Sequence, residues 1–75
     1  MRKYKEIDKL TVFDGDIIKY KDSRYIVGVG FVSCIRFMRV KSITNNLTAR
    51  CIGSNGKLLL VNMIDNRVLS GYTLV

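Results

Sequence analysis

Turn signals recur about every ten residues along this chain, as they do in small all-β domains. Glycine and asparagine tolerate the left-handed backbone conformation of turns, and aspartate and asparagine side chains bond nearby backbone amides. Such residues occur at Asp14-Gly15-Asp16, Asn45-Asn46, Asn55-Gly56 and Asp65-Asn66. The runs between the turns are short and β-rich, and none has the 3.6-residue spacing of an amphipathic helix. This pattern predicts an all-β chain of five to seven short antiparallel strands.

The predicted architecture is a small antiparallel barrel in a single domain. An SH3-like barrel is favoured over an OB-like barrel, because the turns are tight and no helical segment separates the third and fourth strands. Residues 1–9 are expected to form an N-terminal arm or one short helical turn, and residues 10–75 to form the barrel. Because 75 residues can bury only a small core, oligomerisation can supplement its stability.

Two stretches are expected to supply most of the core. From Arg24 to Ile43 the chain is almost continuously β-rich, and Tyr25, Val27, Val29 and Phe31 alternate as one buried strand face would. This strand is expected to begin after a turn at Asp22-Ser23. The second stretch, residues 57–64, is apolar at nearly every position, which predicts a central strand buried on both faces.

The residue types present argue against an enzyme. The chain has no histidine, the commonest general base at neutral pH. Asp14 and Asp16 lie in a glycine turn, where bonding backbone amides is favoured over holding a cation. Cys34 and Cys51 are too few for a disulfide framework and lack partners for a zinc site. They are interpreted as inert, buried, reduced thiols, so no cofactor or metal is expected and the predicted compartment is the cytoplasm.

The charge distribution is the strongest functional signal. Thirteen basic and six acidic residues give a net charge of +7, and no acid occurs between Asp22 and Asp65. A long run of positive charges without acids destabilises a fold through self-repulsion. Its presence therefore suggests that the positive charge has a function. If the strands pair in order, the cations in this interval are expected to form one basic face.

Aromatic residues lie among these cations. Cations that bind phosphates and rings that stack on bases are typical of sheets that bind single strands. The leading hypothesis is therefore a binding module for nucleic acid, DNA or RNA, without sequence specificity. Its predicted site comprises Arg24, Arg36, Arg39, Lys41, Arg50, Lys57, Tyr20 and Phe37. The competing interpretation of rings such as Phe31 and Phe37 is that they are core residues.

Two other functions remain open at this point. The first is a protein-interaction module that docks on an acidic surface or adds a strand to a partner. A short chain rich in Ile, Lys and Asn without Pro, Trp or His resembles viral accessory proteins of phages that inhibit or regulate host proteins, in which case the compartment is the host cytoplasm. The second is an oligomer that binds a small anionic ligand such as a nucleotide. The longest aliphatic run, residues 58–61, is far too short to span a membrane, so no membrane partner is expected.

Overall fold

The computed structural model describes residues 3–44, 46–53 and 55–75. They form one sheet of six antiparallel strands in the order β1-β6-β2-β3-β4-β5. The strands are β1 (Tyr4–Ile7), β2 (Ile17–Ile26), β3 (Gly30–Ile43), β4 (Thr48–Ile52), β5 (Leu58–Asn62) and β6 (Val68–Leu74). Met1, Arg2, Asn45 and Ser54, which belong to the predicted arm and to two predicted turns, lie outside the described residues.

The predicted all-β class is confirmed, but the predicted barrel is wrong because the sheet is open. In the described part of the chain, β1 and β5 each pair on one side only and form the two edges. β2 has 10 residues and β3 has 14, yet β6 pairs with β2 only from Ile17 to Tyr20. The rest of the β2–β3 hairpin therefore extends beyond its neighbours.

The N-terminal segment joins the sheet. Tyr4 pairs with Leu74 and Ile7 pairs with Gly71, which places β1 beside the last strand. A single 3₁₀ turn, Lys9–Thr11, follows, and the Asp8 side chain caps it by accepting a hydrogen bond from the Leu10 amide. Residues 4–7 therefore form an edge strand.

The long hairpin turns at residues 27–29, not at the expected Asp22-Ser23. Gly28 and Gly30 have positive φ angles of 84° and 101°, which glycine adopts without strain. Asp22 and Ser23 instead lie within β2 and pair with β3. The predicted buried face of this stretch is wrong: Tyr25 is 62% exposed and Phe31 is 78% exposed. β6 and β4, which flank the base of this hairpin, do not extend to its tip.

The core lies on one side of the sheet, which we call the inner face. Buried side chains from β2 to β6 meet there, and two loop residues cover them; the set is Val12, Ile18, Tyr20, Met38, Val40, Ala49, Cys51, Val61, Met63 and Val68. β5 is not the central strand that its apolar sequence predicted. It is an edge strand paired only with β4. Leu58 and Leu60 point away from the core and are 49% and 64% exposed.

The turn predicted at Asp14-Gly15-Asp16 forms as its residue types favour. At Asp14-Gly15-Asp16, Gly15 has a φ of 91°, and Asp16 Oδ2 accepts a hydrogen bond from the Phe13 amide at 2.9 Å. Asp16 Oδ1 also accepts one from Thr73 Oγ1 at 2.8 Å. The predicted use of an aspartate to bond backbone is confirmed, and this buried carboxylate ties the turn to β6.

Candidate functional site

The side of the sheet opposite the core, which we call the outer face, crosses all six strands. Strand pairing aligns one residue from each strand into a continuous row on this face. From β1 to β5 through the sheet, the row is Glu6, Tyr72, Ile17, Arg39, Ile52 and Leu58. A cation therefore lies at the centre of the outer face with apolar side chains on both sides.

Four cations occupy the outer face. Lys19 and Lys21 alternate with core residues along β2, Arg39 lies between Met38 and Val40, and Arg50 lies between Ala49 and Cys51. The two ion pairs among the described residues involve other arginines. The positive charge of this face is therefore not neutralised locally.

An apolar groove of about 300 Å³ opens on the same face. Tyr4, Ile17, Phe37 and Tyr72 line it. The rings of Phe37 and Tyr72 lie 6.0 Å apart at 57° to each other, and Phe37 is 56% exposed. Lys19 is the cross-strand partner of Phe37, so a cation directly adjoins the exposed ring.

The eight residues predicted as a binding site are divided by the sheet. Phe37, Arg39 and Arg50 share the outer face. Lys41 is exposed where the β3–β4 register shifts, and Lys57 is exposed between β4 and β5. The single basic face expected from neighbouring strands does not form, because alternating residues point to opposite sides of a sheet. The remaining residues, Arg24, Arg36 and Tyr20, lie on the inner side.

Arg36 is occupied by an ion pair. Its Nη1 donates to Asp22 Oδ2 at 3.0 Å, with about a third of each side chain exposed. The hydrogen bond from Arg36, and then that from the Ser23 amide, lowers the pKa of Asp22. A Cβ added at Gly53 would meet Arg36 Nη2 at 3.0 Å, so the guanidinium also packs closely against the β4–β5 loop.

Tyr20 is a core residue with 8% exposure, which corrects its expected role as a stacking ring. The guanidinium of Arg67 covers it at 5.6 Å from the ring centroid. Arg67 is held there by a 3.0 Å ion pair with Asp65. The ring is therefore inaccessible to a base.

Sequence reasoning missed Lys19, Lys21, Tyr4 and Tyr72. The two lysines could have been found, because they alternate with the apolar residues of β2 as an exposed face does. The tyrosines could not, because β6 lies between β1 and β2, a pairing between the two ends of the chain.

The prediction that both cysteines are buried is confirmed for Cys51 but not for Cys34. Both are free; Cys51 is buried and Cys34 is half-buried. Burial raises the pKa of the Cys51 thiol to about 11, which agrees with the prediction of an inert thiol at that position. In the described residues, no three His, Cys, Asp or Glu side chains cluster as metal ligands would.

No described helix has the length and apolar character needed to cross a membrane. Comparison of the chain with protein-family models, with curated proteins and with solved structures finds no match.

Proposed function

We propose that this protein binds nucleic acid through the outer face, without sequence specificity. Phe37 and Tyr72 stack against bases, while the cations Lys19, Lys21, Arg39 and Arg50 contact phosphates. The observation that carries this proposal is the open aromatic groove, which Lys19 adjoins on a face whose four cations form no ion pair with the described residues. Rings and cations on one accessible surface are the two components that single-strand binding requires.

The placement of the acidic residues supports the same partner. Asp16, Asp22 and Asp65 are engaged by internal hydrogen bonds or ion pairs. Among the described residues, Glu6 at the β1 edge is the only acid that strand pairing places on the outer face. Apart from Glu6, the charged side chains that strand pairing places on this face are therefore all positive, which favours a polyanion as the partner.

Fluorescence anisotropy with a labelled single-stranded DNA and its RNA counterpart tests this proposal. Phe37→Ala should weaken binding by about 5-fold to 150-fold, since one stacked base contributes about 1–3 kcal/mol. Arg39→Ala should weaken binding to every sequence alike, because phosphate contacts do not specify sequence. With about four phosphates engaged, log affinity should fall against log salt with a slope of about −3.

Arg24→Ala is the matched control, because it removes the same charge from the inner side of the hairpin. It should change affinity about 2-fold or less. Equal losses for Arg24→Ala and Arg39→Ala would show that net charge, not the outer face, drives binding. No binding of either strand at ~50 mM salt, where counterion release favours it, would refute the proposal.

A second candidate function rests on the tip of the β2–β3 hairpin. Tyr25, Val27, Val29 and Phe31 are 62–87% exposed there, and the rings of Tyr25 and Phe31 pack edge to face at 5.3 Å. Such a preformed apolar anchor suits a hydrophobic cleft on a protein partner. Arg24 beside it favours a cleft with an acidic rim.

A pull-down from nuclease-treated lysate distinguishes the two candidates. A protein that docks on the tip should be retained by wild type and by Phe37→Ala, and lost with Phe31→Ser. A partner lost with Phe37→Ala but kept by Phe31→Ser would exclude the hairpin tip as its docking element.

A further inference from the structure

The two edges of the sheet differ in how they are protected. Native edge strands usually carry charges, prolines or bulges that prevent pairing with another strand. β1 carries exposed Lys5 and Glu6. β5 reads Leu-Leu-Leu-Val-Asn, with no charge, no proline and an unbroken register with β4. The free edge of β5 therefore lacks each of these protective features.

Backbone hydrogen bonding shows which groups of β5 face this free edge. The Gly53 amide donates to the Lys57 carbonyl at 3.2 Å, and the Met63 amide donates to the Leu47 carbonyl at 2.9 Å. Because hydrogen-bonded pairs alternate along an antiparallel ladder, Leu59 and Val61 bond to β4.

The main-chain groups of the alternate residues, Leu58, Leu60 and Asn62, consequently point away from β4. The Asn62 carbonyl accepts a hydrogen bond from the Asp65 amide at 3.0 Å, so it is engaged in the following turn. Within the described chain, no strand pairs with the Asn62 amide or with the amides and carbonyls of Leu58 and Leu60, so these groups are available to another strand.

We propose that β5 pairs antiparallel with β5 of a second copy of this chain, in a register centred on Leu60. The amide and carbonyl of Leu60 exchange hydrogen bonds with Leu60 of the second copy, and the Asn62 amide bonds to the Leu58 carbonyl. Leu60 faces its own equivalent on the outer face, and Leu59 faces Val61 on the inner face. The product is a two-fold symmetric dimer with a sheet continuous across both copies.

Symmetry favours a second copy as the occupant, and the charges near β5 do not oppose it. Although each chain has a net charge of +7, β5 itself is neutral. In this register the two Lys57 backbones lie six residues apart along the strand, about 20 Å at the usual rise of a strand. That distance exceeds the Debye length of roughly 8 Å at physiological salt, so the two charges are screened.

Assembly should stop at the dimer, because pairing uses the unprotected edge and leaves the charged β1 edges outside. The two-fold axis of an antiparallel pair is perpendicular to the sheet, so both outer faces lie on the same side. Arg39 and Arg50 of the two copies thus extend one basic surface. The dimer itself does not depend on the nucleic-acid proposal.

Sedimentation equilibrium without nucleic acid tests the proposal. Wild type should show a mass twice the 8.6 kDa of the chain. Leu60→Lys should raise the dimer dissociation constant at least 10-fold, because two like charges would lie directly opposite each other. Leu69→Lys on β6, at a position 46% exposed, adds the same charge away from β5 and should leave the dimer intact.

Hydrogen exchange on the wild type tests the register independently of any variant. Amides of Leu59 and Val61 should be protected at every protein concentration. Amides of Leu58, Leu60 and Asn62 should be protected only at concentrations where the dimer forms. A monomer at all accessible concentrations, or a dimer that Leu60→Lys leaves unchanged, would overturn the proposal whether or not nucleic acid binds.

Discussion

The inner and outer faces of the sheet are built from adjacent residues of the same strands, yet one face is buried and the other is exposed to solvent. Ile18 and Met38 on the inner face are 0% and 1% exposed, whereas Phe37 on the outer face is 56% exposed. The difference comes from what covers each face. Val12 and Met63, which lie outside the strands, pack over the inner face, while the outer face of the described chain has no second layer.

An antiparallel sheet with one solvated face normally alternates apolar residues inward with polar residues outward. Here the outer face departs from that rule, because Phe37, Ile52, Leu58 and Leu60 lie among the cations. Apolar side chains on both faces of a one-layer sheet are the feature on which the proposed binding role of the outer face rests. The comparison also teaches that apolar alternation identifies the faces of a strand but does not identify which one is core.

The largest expected contrast is between neighbouring residues of β3. Met38→Ala should lower the free energy of unfolding by about 2–5 kcal/mol, because it leaves a cavity in the core. Phe37→Ala should lower it by less than about 1 kcal/mol, because half of that side chain is already in solvent. Urea denaturation of both variants measures the difference, and similar losses would mean that the outer face is also packed.

Gly71 tests how closely the loop covers the inner face. A Cβ at this position would contact Val12 Cγ2 and lie 3.3 Å from Ile7 Cγ1. Gly71→Ala should therefore cost about 1–3 kcal/mol through overpacking. Combining it with Val12→Ala should cost less than the sum of the two single changes, since the pair shares one contact. Additive losses in thermal or urea unfolding would contradict this contact.

The hairpin tip should tolerate substitution as the outer face does. Phe31→Ser should change the free energy of unfolding by about 0.5 kcal/mol or less, because 78% of Phe31 is exposed. Urea denaturation of Phe31→Ser and Met38→Ala under the same conditions compares their free energies of unfolding. If Phe31→Ser lowered the free energy of unfolding as much as Met38→Ala does, the tip would have to fold back onto the body of the sheet.

The smallest expected effect is the pH dependence of the Asp22–Arg36 pair. The hydrogen bond from Arg36 lowers the folded-state pKa of Asp22 below the ordinary value for an aspartate. The stabilisation is therefore fully present above pH ~4 and is lost as the pH falls through the lower folded-state value. Because the pair is partly exposed to solvent, its contribution should be below about 1 kcal/mol.

Asp22→Asn should therefore reduce stability slightly at pH 7 and flatten the acid limb of the stability curve below pH 4. Arg36→Gln removes the other partner and should flatten that limb in the same way. Urea titrations at several pH values measure both variants. An acid limb unchanged in both would show that the pair does not contribute.

Local features of the fold were predictable from the sequence. The turns at Asp14–Asp16 and at Asp65-Asn66 form where their residues favour them, and the Asp65 amide bonds back to the Asn62 carbonyl. Asn55-Gly56 connects β4 to β5, with Gly56 at a φ of 77°. These features depend on backbone preferences within a few residues, so they are encoded locally. Of the candidate site, Phe37, Arg39 and Arg50 were identified on the same basis of residue type and spacing.

The sequence by itself thus determined the all-β class, the main turns and the excess of positive charge. Only the tertiary structure decided that the sheet is open, that β6 separates β1 from β2, and that the Arg24–Phe31 segment is an exposed hairpin and not core. The physical reason is that burial depends on which distant segment covers a face, and strand alternation carries no information about that covering.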